Sequence, residues 1–254
     1  MGEIVVLEEA DEIYDWLVDH KYEIIRTIIL TAEELGEYTI LFDAQESLVG
    51  KLEDITVDGE MHEKVIRFSV MGIKRYARRF PDAPLTFWKY LVIHEHCHND
   101  LKERFPETVD LERAYIRERL GNWFCFFEDA FINKNLVPKY LTAEEKEALA
   151  AFLPRAYDYN YNYLMEIIEK RKAQVTHEKA DYILNAVFLA KVLGREEEAL
   201  RRISKVYGER IIPLLRRFAE LLEKAETGYE EMQEAAISAI PLFKELIELL
   251  EKEK

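Results

Sequence analysis

Cysteine is scarce: Cys97 and Cys125 are the only two in 254 residues, which excludes a disulfide-stapled scaffold. Nine glycines and seven prolines exclude collagen-like and low-complexity chains. No apolar run approaches the roughly 18 residues that a membrane span needs. Residues 1–30 lack a basic start followed by an uncharged apolar stretch, so no secretory signal is expected. Positive charge is also short, with 35 Lys and Arg against 50 Asp and Glu, net −15. That balance repels nucleic acid unless a basic patch is locally concentrated. The one such cluster, Lys74 to Arg79, reads as a solvated helix face. The expectation is a cytoplasmic protein with no nucleic-acid and no membrane partner. Glutamine and asparagine are few, at three and seven, beside abundant Glu, Lys and Arg, a thermophile-like composition.

What is present is a large apolar fraction, 49%, ample for one large domain or two small ones. Residues 8–36 read mostly as helix, with Thr31 and Glu34 spaced as a capping box. Tyr38–Phe42, Leu48–Val57 and Lys64–Val70 are short β-rich runs, the last two separated by the hairpin dipeptide Asp58-Gly59. They predict a small antiparallel sheet of three strands. Everything after Met71 reads as helix: about 71–79, then Thr86 to Arg104 between Pro84 and Pro106, then about 110–136. Thr142 and Glu145 form a second capping box that opens a helical remainder. Its helices are expected at about 154–174, 177–193, 196–224 (broken near Gly208 or kinked at Pro213) and 228–252. The fold class is therefore α+β, mostly α: an antiparallel sheet packed on a helix within residues 1–140, then a helical bundle extension over 141–254.

One stretch carries chemistry. His94, Glu95 and His98 spell H-E-x-x-H inside the helix predicted from Thr86 to Arg104. Side chains four apart lie on one helix face, so both imidazoles can reach one zinc ion. Glu95 is offset by one residue, which directs its carboxylate to a water rather than to the metal, as a general base. Phe87, Leu91 and Leu101 lie on the same stripe as the two histidines and turn it inward. His96 and Cys97 fall off that face and read as neighbours of no special role. A third ligand must come from elsewhere, and the next helix offers Glu128 and Asp129 among Trp123, Phe124, Phe126, Phe127, Phe131 and Ile132. Acids in so apolar a segment are costly without a cation or hydrogen bonds.

These residues resemble the zincin metallopeptidases, of the gluzincin-like kind, in which a carboxylate on the helix after H-E-x-x-H is the third ligand. The segment from Glu128 to Asn133 also resembles the metallopeptidase-like domain found beside von Willebrand A-like domains, with an Asp on this helix and an Asn four residues later. The likeness spans about residues 38–137. It implies Asp129 as metal ligand and Asn133 as the residue orienting a ligand, while the gluzincin comparison alone permits Glu128. Cys125 departs from the second family, which has Asn one turn before the acid. No alternation of strands and helices in the second half suggests a von Willebrand A-like domain there.

The implied activity is a zinc-dependent metallohydrolase, a peptidase acting on a peptide or protein substrate. The 64–70 strand is a candidate for pairing with an extended substrate. His177 and Tyr157 are candidate oxyanion donors, although the tyrosines at 157, 159, 161 and 163 also suit packing between helices. The alternative is a zinc-stabilised, catalytically inactive scaffold that binds a protein partner through residues 142–254.

Overall fold

The computed structural model describes residues 4–36, 38–44, 51–57, 60–173 and 175–252. It divides into two compact units, residues 1–104 with 136–152, and residues 105–135 with 153–254.

The first unit is built on a four-stranded sheet. β1 (Ile4–Val6), β2 (Thr39–Asp43), β3 (Lys51–Val57) and β4 (Glu60–Ser69) lie in the order β1-β2-β4-β3. The sheet is mixed, which corrects the antiparallel expectation. Only β3 and β4 run antiparallel, whereas β1 pairs with β2 and β2 with β4 in parallel, Ile40 facing Ile66 and Phe42 facing Phe68. Parallel strands need a crossover, and α1 (Asp11–Leu35) supplies it between β1 and β2. All five residues of β2 are buried. Such an unalternating run belongs to a strand covered on both faces. β4 has a partner on each side, so it cannot accept an added strand; among the described residues the sheet's edges are β1 and β3. The dipeptide Asp58-Gly59 lies outside the described residues.

α1 covers the expected helix, and Thr31 is buried near its end rather than capping a new one. The chain leaves helical geometry at Lys21 (φ −139°, ψ 32°), where the Nδ1 of His20 lies 2.9 Å from the Trp16 carbonyl oxygen. α2 (Val70–Arg79) starts where Ser69 caps it, its hydroxyl accepting from the Gly72 N–H at 3.0 Å. α3 (Leu85–Arg104) follows Pro84 and stops before Pro106, as proline at both ends dictates. α1 packs on α3 and α2. Tyr76 stacks on Phe87, and the rings of Phe87 and Phe80 close on Phe152 at 4.9 and 5.5 Å. Phe152 comes from α6 (Ala143–Glu169), whose start is the expected capping box: Glu145 N–H donates to the Thr142 hydroxyl and Thr142 N–H to the Glu145 carboxylate.

The second unit is helical. α4 (Glu107–Arg117) and α5 (Cys125–Asn135) replace the single helix expected over 110–136. The chain turns between them with Arg119 and Gly121 in the left-handed region at φ 60° and 58°, a conformation glycine adopts without strain. With the later part of α6, α7 (Thr176–Val192), α8 (Glu196–Tyr207), α9 (Ile212–Ala225) and α10 (Tyr229–Lys252) complete the unit. The helix expected over 196–224 is broken at Gly208, where φ is 77°. Pro213 sits in the first turn of α9, where a missing N–H breaks no helical hydrogen bond. The core gathers Trp123, Phe126, Phe127, Phe218 and Phe243, with Phe218 and Phe243 ring centroids 5.6 Å apart. Buried Tyr115 donates to the Ala236 carbonyl at 2.6 Å. No described helix is long and apolar enough to cross a membrane.

Candidate metal centre

α3 holds the motif. Phe87, Val92, Ile93, Cys97 and Leu101 are buried along it, while His94, Glu95 and His98 are half-buried. The four-residue spacing brings the two ligand candidates together: their Nε2 atoms lie 3.2 Å apart, with ring centroids 4.9 Å apart and planes at 82°. The ring of Tyr90, one turn earlier, is 5.9 Å from that of His94. Two nitrogens converging at 3.2 Å can share one proton as a hydrogen bond between neutral imidazoles, or both can donate lone pairs to one cation.

Cys97 is fully buried. Burial pushes its thiol up to about 12, so it stays a protonated apolar filler rather than a thiolate ligand. Beyond it, Asn99 donates to Glu103, Lys64 pairs with Glu103 at 3.4 Å and Arg104 pairs with Asp100 at 2.7 Å.

His96 is not the bland neighbour its sequence position suggests. Its Nδ1 lies 2.6 Å from the Tyr38 hydroxyl and its Nε2 3.1 Å from the Tyr140 hydroxyl. Tyr38 stands just before β2, and Tyr140 just after the 3-10 turn at Val137–Lys139. Both rings meet the imidazole edge to face. Burial disfavours the charged form of all three groups. Desolvation raises Tyr38 to about 12, against an opposing hydrogen bond with Asn99; it also raises Tyr140 and lowers His96. No sequence signal marks this triad, whose members are separated by 58 and 44 residues.

The acidic candidates belong to the second unit. On α5, Glu128 is 1% exposed while Asp129 is half-buried, and Asn133 lies one turn beyond Asp129 on the same face. Its neighbours Phe126, Phe127, Ala130, Phe131 and Ile132 are buried, as the aromatic pattern of this segment implied. His177 is exposed in the first turn of α7, its ring 5.7 Å from that of Trp123. Asp181, one turn further, is held above its ordinary value by burial, although a hydrogen bond from Trp123 opposes the shift. Tyr157 is half-buried on α6; in the same tyrosine run Tyr161 is fully buried beneath the Arg195 guanidinium, 4.6 Å from its ring centre.

No family model, curated protein or solved structure matches this chain.

Proposed function

We propose that the chain is a zinc-dependent metallohydrolase that cleaves peptide bonds. The observation that carries this reading is the 3.2 Å between the Nε2 atoms of His94 and His98. Two Zn–N bonds of about 2.0–2.1 Å meeting near the tetrahedral angle span about 3.3 Å. The two nitrogens thus stand at the separation that two ligands of one zinc ion require. Two imidazoles, from His94 and His98, and one carboxylate, for which Asp129 is the candidate, would make up the donor composition of catalytic zinc sites that keep a fourth position open. Glu128 is the alternative carboxylate. Asn133 would orient the metal-binding acid on its own helix.

When bound, zinc supplies Lewis acidity that makes water acidic near neutral pH and polarises a carbonyl. Glu95 does the proton work. One residue past His94, it is turned about 100° round the helix from that ligand and is half-buried. It takes a proton from the attacking water as the new C–O bond forms at the scissile carbonyl. It then delivers that proton to the amide nitrogen as the C–N bond breaks.

Glu95→Gln tests the role directly, because glutamine keeps the shape and loses the base. With zinc supplied to both proteins, wild-type should cleave members of a mixed peptide library followed by mass spectrometry. The variant should bind the same zinc and cleave about 10²–10⁴-fold more slowly. Equal rates would remove Glu95 from the chemistry, and no cleavage by zinc-loaded wild-type would overturn the peptidase reading.

A further inference from the structure

We infer that Tyr38 and Tyr140 are positioning residues for the metal face of α3, acting through His96; the inference rests on the zinc reading above. Successive residues are about 100° apart around a helix, so His96 lies opposite the mean direction of His94 and His98. Whatever holds His96 therefore fixes the azimuth of the two ligands. Here both ring nitrogens are held, at 2.6 Å by Tyr38 and at 3.1 Å by Tyr140. A neutral imidazole has one donor and one acceptor, and two hydroxyls satisfy both. The anchors come from separate supports. Tyr38 is itself buried at the entrance to the fully buried strand β2, and Tyr140 follows a 3-10 turn that packs on α3. One hydroxyl would restrain the ring; two, from different segments, lock it against rotation in either sense.

The lever is long enough to matter. An imidazole nitrogen about 6 Å from the helix axis moves ~1 Å when the helix turns by about 10°. Metal sites tolerate deviations of only about 0.2 Å in ligand distance. Losing both hydroxyls also leaves a half-buried imidazole with unmet hydrogen bonds, a further incentive for α3 to shift. Residues that hydrogen-bond a metal ligand directly are worth about 10–100-fold in metal affinity, the scale expected for a support that sets the ligands' azimuth through His96.

Cobalt(II) replaces zinc as the probe, because its visible absorption reports ligand number and geometry as well as occupancy. Full-length wild-type, Tyr38→Phe, Tyr140→Phe and the double variant are titrated with Co(II), alongside Thr142→Ala as a variant that loses stability without touching His96. The double variant should bind Co(II) about 10–100-fold more weakly with an altered visible band. Thr142→Ala should match wild-type in both respects. If the double variant fails to fold by circular dichroism, Tyr140→Phe decides, since Tyr140 is the less buried anchor. Wild-type affinity and spectrum in a folded tyrosine variant would overturn the positioning role and leave the metal reading standing. Absence of Co(II) binding by wild-type would overturn the metal reading and this inference with it.

Discussion

Removing the guanidinium of Arg67 should destabilise the protein severely, and the reason lies in the parallel pairing of β2 and β4. Asp43 ends β2 with its side chain 3% exposed, and Arg67 on β4, 19% exposed, forms an ion pair and hydrogen bond with it. The register places Arg67 beside Leu41 and Ser69 beside Asp43, so the pair runs diagonally across two central strands. Arg67→Met keeps most of the side-chain volume but takes a charged partner from a carboxylate that is only 3% exposed. Breaking a buried pair in this way costs about 3–5 kcal/mol. For a chain of this size that lowers Tm by about 10 °C. The double variant Asp43→Asn with Arg67→Met leaves no charge behind and should recover much of the loss. Urea unfolding of wild-type, Arg67→Met, Asp43→Asn and the double variant, compared at equal m-values, measures the coupling. A loss below about 1 kcal/mol for Arg67→Met, the range of an exposed pair, would mean that the Asp43 carboxylate does not depend on Arg67 for its charge compensation.

Two further outcomes follow from local structure. Thr142→Ala removes one half of the reciprocal cap on α6 and should cost about 1 kcal/mol, read as a drop in Tm of about 2–4 °C. Asp181 is held above its ordinary pKa of 3.8 by burial. The folded chain therefore keeps its proton where the unfolded chain has lost it. Its contribution to stability is full below 3.8 and declines as pH rises through the folded value. Asp181→Asn, which preserves an acceptor for Trp123, should flatten that decline and be at least as stable as wild-type at pH 7. A variant less stable at pH 7 would mean that the ionised form is favoured there.

The helix that carries the candidate site was legible because its signals are local. His94, Glu95 and His98 meet on one helix by spacing alone, and Pro84 and Pro106 bracket that helix in the sequence as in the structure. The cap at Thr142 and the break at Gly208 were legible for the same reason. Strand direction was not local. Thr39 to Phe42 is too short an apolar run to reveal its neighbours, and the parallel pairing depends on α1 carrying the chain back to lay β2 beside the three-residue β1. The turn at Arg119 and Gly121 was hidden by helix-forming residues on both sides, so α4 and α5 read as one element. The tyrosines that hold His96 left no pattern at all. They come from a strand entrance and a 3-10 turn, and only the tertiary fold brings them to opposite nitrogens of one ring.

Metal content decides whether His94 and His98 bind zinc. Protein purified without chelators and without a metal-affinity column is measured by inductively coupled plasma mass spectrometry, beside His94→Ala and His98→Ala. One equivalent of zinc is expected in wild-type and almost none in either variant. Wild-type that carries no metal, and takes up none after dialysis against zinc, would reduce the 3.2 Å contact to a hydrogen bond between two imidazoles and remove zinc from this helix face.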